Sequence, residues 1–198
     1  MYICNKFYKI LKMKKIIFLG LMVLTFLSFA SCKKTVDSKP DSTETKKDYK
    51  KNFNVQIQAS SSKKDDFALY FTEDNTINFK GENAVWCGIK GGNTEETVNF
   101  ELSEDKIPTH IRLDFGLKSD QDSVVVKSIK INYFENNFSF NGSDFFKYFN
   151  DDKQFSTKVN PVKGTITFYP KEKVYKTPYF YPTQITIDNI KKITTEKK

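Results

Sequence analysis

Val124-Val125-Val126-Lys127-Ser128-Ile129-Lys130-Ile131-Asn132-Tyr133 decides the fold. Val124 and Val126 fall on one face of an extended strand, as do Ile129, Ile131 and Tyr133, while Lys130 and Asn132 point to the other. The inward phase slips between Val126 and Ile129, and one extra residue near Lys127-Ser128 absorbs such a slip as a β-bulge. The strand is expected to bend there, where a change of sheet is open to it.

The same two-residue period recurs through the body of the chain. It is carried by Phe53-Val55-Ile57-Ala59, Phe67-Leu69-Phe71, Ile77-Phe79, Val98-Phe100-Leu102 and Ile111-Leu113-Phe115, and later by Phe138-Phe140, Ile166-Phe168 and Ile185-Ile187. Each run buries one face and wets the other. Turn-forming residues separate them, among them Ser61-Ser62-Lys63-Lys64, Asp74-Asn75, Gly91-Gly92-Asn93, Lys118-Ser119-Asp120 and Asn160-Pro161. Many short alternating strands with such turns predict an all-β fold, a two-sheet antiparallel β-sandwich. One short helix interrupts the pattern. Ser143 is expected to cap it, and Phe145, Phe146 and Phe149 to plug one end of the sandwich.

Domain organisation follows from composition. Lys14-Lys15 precede the apolar run Ile16 to Phe29, which is shorter than the roughly 20 residues a membrane-spanning helix needs, and Ala30-Ser31-Cys32 follow. This order resembles a bacterial lipoprotein signal, although Phe29 stands where that family usually has Leu. The resemblance implies removal of residues 1–31 and lipidation of Cys32, with Met13 as an alternative start that would leave residues 1–12 untranslated. Residues 33–52, almost without large apolar side chains, are expected to form a flexible linker after the lipidated cysteine. Residues 53–198 then hold the sandwich, about 140 residues of which, up to Ile193, make one compact domain. Cys87 is left alone in it, so no disulfide within the domain is expected.

The net charge of +8 overstates how basic the working protein is. Lys6, Lys9, Lys12, Lys14 and Lys15 lie in the first 32 residues with no acid among them, so 27 bases face 24 acids in the remainder. Arg112 is the sole arginine, whereas proteins that read phosphates favour arginine for bidentate contacts. No nucleic-acid partner is expected.

Candidate chemistry is confined to a few positions. His110 is the sole histidine and has no second His or Cys at metal-ligand spacing. With Ile111, Leu113 and Phe115 inward, Arg112 and Asp114 share the opposite face, placed either to pair or to offer planar donors and acceptors to sugar hydroxyls or a glycan carboxylate. Tyr175, Tyr179 and Tyr181 lie in a proline-punctuated stretch and Trp86 among glycines. Their ring faces can stack on sugar C–H surfaces or pack on the sandwich, Tyr179 and Tyr181 then forming an edge strand. The paired acids Asp65-Asp66, Glu95-Glu96 and Asp151-Asp152 suit solvated turns or the rim of a structural calcium; no other metal and no cofactor is implied.

Phe67-Ala-Leu-Tyr-Phe71, Val98-Asn-Phe-Glu-Leu102, Ile111-Arg-Leu-Asp-Phe-Gly116 and Val126-Lys-Ser-Ile-Lys-Ile131, in that order, resemble jelly-roll, galactose-binding-like β-sandwich domains of bacterial surface-glycan proteins. The resemblance covers residues 66–133. It implies a jelly-roll-like, carbohydrate-binding-module type of fold and supplies no ligand residues. The expected function is a lipid-anchored cell-envelope protein, without catalysis, that binds a glycan or an envelope partner. An assembly lipoprotein docking onto an envelope complex is the alternative, and a glycoside hydrolase the third reading. Lys33 after the cysteine resembles lipoproteins sorted to the outer rather than the inner membrane.

Overall fold

The computed structural model describes residues 51–152, 157–168 and 175–195; the expected signal, Cys32 and the expected linker as far as residue 50 lie outside them. In chain order the strands are β1 (Asn54–Ser61), β2 (Asp65–Thr72), β3 (Ala84–Ile89), β4 (Glu96–Glu101), β5 (His110–Asp114) and β6 (Ser123–Tyr133). They continue as β7 (Asn136–Asn141), β8 (Phe149–Asp151), β9 (Thr157–Asn160), β10 (Thr165–Phe168) and β11 (Tyr179–Pro182). Among the described residues the α-helices are the single turn α1 (Phe145–Tyr148) and α2 (Gln184–Thr195).

The strands form two antiparallel sheets. One runs β4-β1-β6-β10-β9 with β7 also on β6, and the other β3-β2-β5-β11-β8. The expected two-sheet β-sandwich is therefore what the chain builds. Its core is made by the inward alternation: Val55, Ile57, Phe100, Ile129 and Ile131 from the first sheet face Phe67, Leu69, Ile111, Leu113 and Phe180 from the second, all fully buried. Burying a side chain of this size contributes about 1.5–3 kcal/mol, and this packing offsets the ordering entropy of so non-local a topology.

The phase slip in β6 is a bulge. Gln58 pairs with Ser128, the next residue Ala59 pairs with Val126, and Lys127 is left over. The strand does not change sheets: it stays beside β1 throughout, and its other neighbour changes instead, from β10 at Ser123–Val125 to β7 at Ser128–Tyr133.

Phe145 and Phe149 are fully buried at one end of the core, stacked with centroids 5.3 Å apart, and Phe146, half-buried, meets Phe145 edge-on. Ser143 is not a cap. The chain reaches α1 through a 3-10 turn, Gly142–Asp144, and the amide of Phe145 is satisfied by the carbonyl of Gly142 without help from a side chain.

Two expected strands are absent. Ile77 is exposed and Phe79 half-buried in a loop, because short side chains there offer the backbone other partners. Asp74 accepts from the amide and hydroxyl of Thr76, and Thr76 accepts from the amide of Asn78. Ile185 and Ile187 lie in α2, whose buried residues are Thr186, Ile190 and Ile193. Thr186 donates to the carbonyl of Tyr148 (2.6 Å) and Asn136 to that of Ile193 (3.2 Å), so α2 is fastened at both ends.

Candidate functional site

Antiparallel register brings four distant segments side by side on the outer face of the second sheet. Trp86 on β3 pairs with Ala68 on β2, Ala68 with Asp114 on β5, and Asp114 with Tyr179 on β11. In the next row Tyr70 pairs with Arg112. Ala68 is small enough to sit buried beneath its larger neighbours. β11 is not an edge strand, because β8 pairs along its other side.

Arg112 and Asp114 form the centre. Nε donates to Oδ1 and Nη2 to Oδ2, both at 2.8 Å, a bidentate pair whose side chains are 14% and 7% exposed. Aromatic rings enclose the guanidinium: its Cζ lies 4.1 Å from the centroid of Tyr70, 4.6 Å from that of Tyr179 and 5.5 Å from that of Phe79. The row extends beyond these rings. Tyr70 meets Trp86 edge-on at 6.1 Å, Tyr179 meets Tyr181 at 5.2 Å, and Phe79 tilts against Tyr181 at 5.9 Å.

Electrostatically the face is closed on itself. Burial pushes the carboxyl of Asp114 above the usual range for aspartate, and Arg112 pulls it back. Burial also works against the charge on Arg112, but the hydrogen bonds and charge of Asp114 hold that charge more firmly. The phenol of Tyr179 is pushed up to about 12 by burial and by its interactions with Tyr181 and Asp152. Near neutral pH it is a neutral hydroxyl.

The structure thus gathers Trp86, Arg112, Asp114, Tyr179 and Tyr181 on one face. Tyr175 stands apart: its hydroxyl donates to the carbonyl of Gly116, and burial beside Asp65 pushes it up to about 12. Tyr70 and Phe79 belong to the face and were not among the expected site residues. Tyr70 was legible, because with Phe67, Leu69 and Phe71 inward it is the one large aromatic on the outward phase of β2. Phe79 carried no such signal, since a loop delivers it.

The remaining candidates sit elsewhere. Asp65 is buried and accepts from the amides of Asp66 and Lys118 and from Gln121, at 2.7, 3.0 and 2.9 Å. Among the described residues no group of three or more His, Cys, Asp and Glu could hold a metal ion. His110 is buried beside Thr109, and desolvation lowers its affinity for a proton while Asp74 partly restores it. The outer face of the first sheet carries an open groove of about 620 Å³, floored by Gln56, Gln58, Ser128, Lys130 and Ser139 with Tyr148 at its side.

Compared with known proteins, the chain matches no family model, no curated protein and no solved structure.

Proposed function

We propose that this is a lipid-anchored cell-envelope protein whose sandwich binds a glycan without catalysis, through the outer face of the β3-β2-β5-β11 sheet. One observation carries the reading: Trp86, 49% exposed, stands at the end of a row of rings fixed to a buried ion pair. A large indole left in water on the outer face of a sheet costs solvation that a partner recovers. Rings held rigid by their neighbours lose little freedom when a sugar stacks on them, and neighbouring phenols serve its hydroxyls.

Binding of envelope polysaccharides by the domain, measured by isothermal titration, tests this. Trp86→Ala and Tyr181→Ala are each expected to weaken binding about tenfold, corresponding to roughly 1.4 kcal/mol per stacking ring. Gln58→Ala, in the groove of the other sheet, should leave it unchanged. Loss of binding in Gln58→Ala alone would move the site to that groove, and no binding to any polysaccharide would discard the reading.

The anchor is tested separately. The full-length chain is expected to incorporate a palmitate analogue in bacteria, with Cys32→Ser abolishing the label. An unmarked wild-type chain would remove the lipid from the proposal.

A further inference from the structure

The same face also constrains what kind of glycan fits, and this step rests on the glycan-binding reading above. We infer that the ligand is an uncharged oligosaccharide that runs across the strands from Trp86 to Tyr181, too long to be replaced by a single sugar.

The charge of the ligand follows from how Arg112 is used. An anion receptor needs a guanidinium edge open to the incoming carboxylate or phosphate. Here Asp114 takes the Nε/Nη2 edge at 2.8 Å and balances the charge, while Tyr70 and Tyr179 lie over the guanidinium, so the face offers no uncompensated cation to draw an acid in. A uronate on this face would either displace Asp114 from a buried pair, at a cost of several kcal/mol, or crowd a second carboxylate against it around one cation, and a surface contact returns neither. Asp152, which interacts with Tyr179, adds a negative charge at the rim that repels an acidic ligand. Exposed Asp66, on the outward phase of β2 two residues from Ala68, adds another, and between these acids the face presents ring surface and hydroxyls.

The length of the ligand follows from which rings are open. Tyr70 and Tyr179 are committed to the guanidinium, so their faces toward Arg112 are closed to a sugar. Trp86 on β3, 49% exposed, and Tyr181 on β11, half-buried and braced by Phe79, supply the outer stacking positions. Between β3 and β11 lie three strand steps, since the order is β3-β2-β5-β11. At about 4.8 Å per step, and with Tyr181 two residues further along β11 than the row of Trp86 and Tyr179, the two positions stand roughly 16 Å apart, so a single pyranose covers one of them at a time and only a chain of several sugars covers both.

The test is isothermal titration of the domain with neutral hexose oligosaccharides from one to six units, alongside uronic-acid oligosaccharides of the same lengths. Affinity for the neutral series is expected to rise about a hundredfold between one and six units and then to level, as a second stacking contact adds to the first. It should change less than about twofold between roughly 50 and 500 mM NaCl, since no net charge is neutralised. Trp86→Ala should reduce the longest ligand to the affinity of the shortest, and uronates should bind at least about tenfold more weakly than their neutral counterparts.

Tighter, salt-sensitive binding of uronates would overturn the inference while leaving glycan binding at this face intact, provided Trp86→Ala still weakens it. Equal affinity for one unit and six would overturn it likewise. Absence of binding to both series, with polysaccharide binding retained, would also overturn it; absence of all binding would overturn the reading on which it rests.

Discussion

Arg112→Leu is expected to destabilise the sandwich by about 3 kcal/mol or more near neutral pH, among the largest effects of any substitution on its surface-facing strands. The reason lies in what stays behind. Asp114 keeps a carboxylate that is 7% exposed, with its bidentate partner gone and two rings that had closed over the guanidinium now facing an empty place. Loss of the cation over Tyr70 and Tyr179 adds about 1 kcal/mol to the charge penalty. Asp114→Leu should cost less, because Arg112 is 14% exposed, keeps its ring contacts and has a long stem that lets the charge reach water. In the double variant Arg112→Leu/Asp114→Leu no buried charge remains. It should therefore recover much of the loss, and urea denaturation of the four proteins measures the coupling directly.

Acidification gives an independent check on that cause. Burial already raises the carboxyl of Asp114 above its ordinary 3.8, with Arg112 as the opposing influence. Removing Arg112 leaves only the upward pull, so folded Arg112→Leu holds a proton on Asp114 more tightly than its unfolded chain does. A group raised in this way contributes stability that is present below its unfolded value and is lost as pH rises through its folded value. The deficit of Arg112→Leu relative to wild type should accordingly shrink as pH falls from about 7.5 toward 4. A deficit that is independent of pH, or smaller than about 1 kcal/mol, would show that the pair does not govern this face.

The parts of the molecule legible in the sequence are those where one face of a strand is apolar without competition. β6 gave both its alternation and its defect, because the step from Val126 to Ile129 can be absorbed only by an unpaired residue, and Lys127 is that residue. Ile77 and Phe79 alternate equally well, yet Asp74 and Thr76 satisfy the local backbone and no ladder forms. In Ile185 to Ile193 two periods coexist. Ile185 and Ile187 suggest a strand, whereas Thr186, Ile190 and Ile193 share a helical face, and the longer pattern is the one that can be buried against α1 and β7. β3 went unseen, because Val85, Cys87 and Ile89 alternate around a glycine and weaken the signal.

The candidate face was legible residue by residue and not as a whole. Outward placement of Arg112 and Asp114 follows from the inward phase of β5, and their mutual pairing from their spacing. That Trp86 and Tyr179 flank them depends on the spatial order β3-β2-β5-β11, which is a property of long-range pairing and leaves no trace in local periodicity. Tyr175 shares its stretch with Tyr179 and Tyr181 but precedes β11, and the carbonyl of Gly116 takes its hydroxyl.

Gly142→Ala is expected to cost about 3 kcal/mol or more, from overpacking that nothing nearby can relieve. Lys127 leaves the ladder at the bulge of β6, and the backbone there is gripped from a second side: the amide of Val126 donates to the carbonyl of Gly164 at 2.9 Å. A Cβ on Gly142 would fall far inside the contact distance that carbon and the carbonyl oxygen of Val126 can tolerate. That obstacle is main chain in a strand paired on both sides, so a rotamer change cannot remove it. Gly164 meets the same oxygen and, at φ +60°, also occupies a backbone conformation that side chains disfavour. Gly81 is the control: nothing lies within 4 Å of its added Cβ and its φ is not positive, so Gly81→Ala should change stability by less than about 0.5 kcal/mol. Because Gly142 belongs to the turn between β7 and α1, remote in sequence from the aromatic face, Gly142→Ala is expected to lower the urea midpoint while the protein that remains folded still binds glycan. Equal midpoints for Gly142→Ala and Gly81→Ala would mean that the bulge can yield after all.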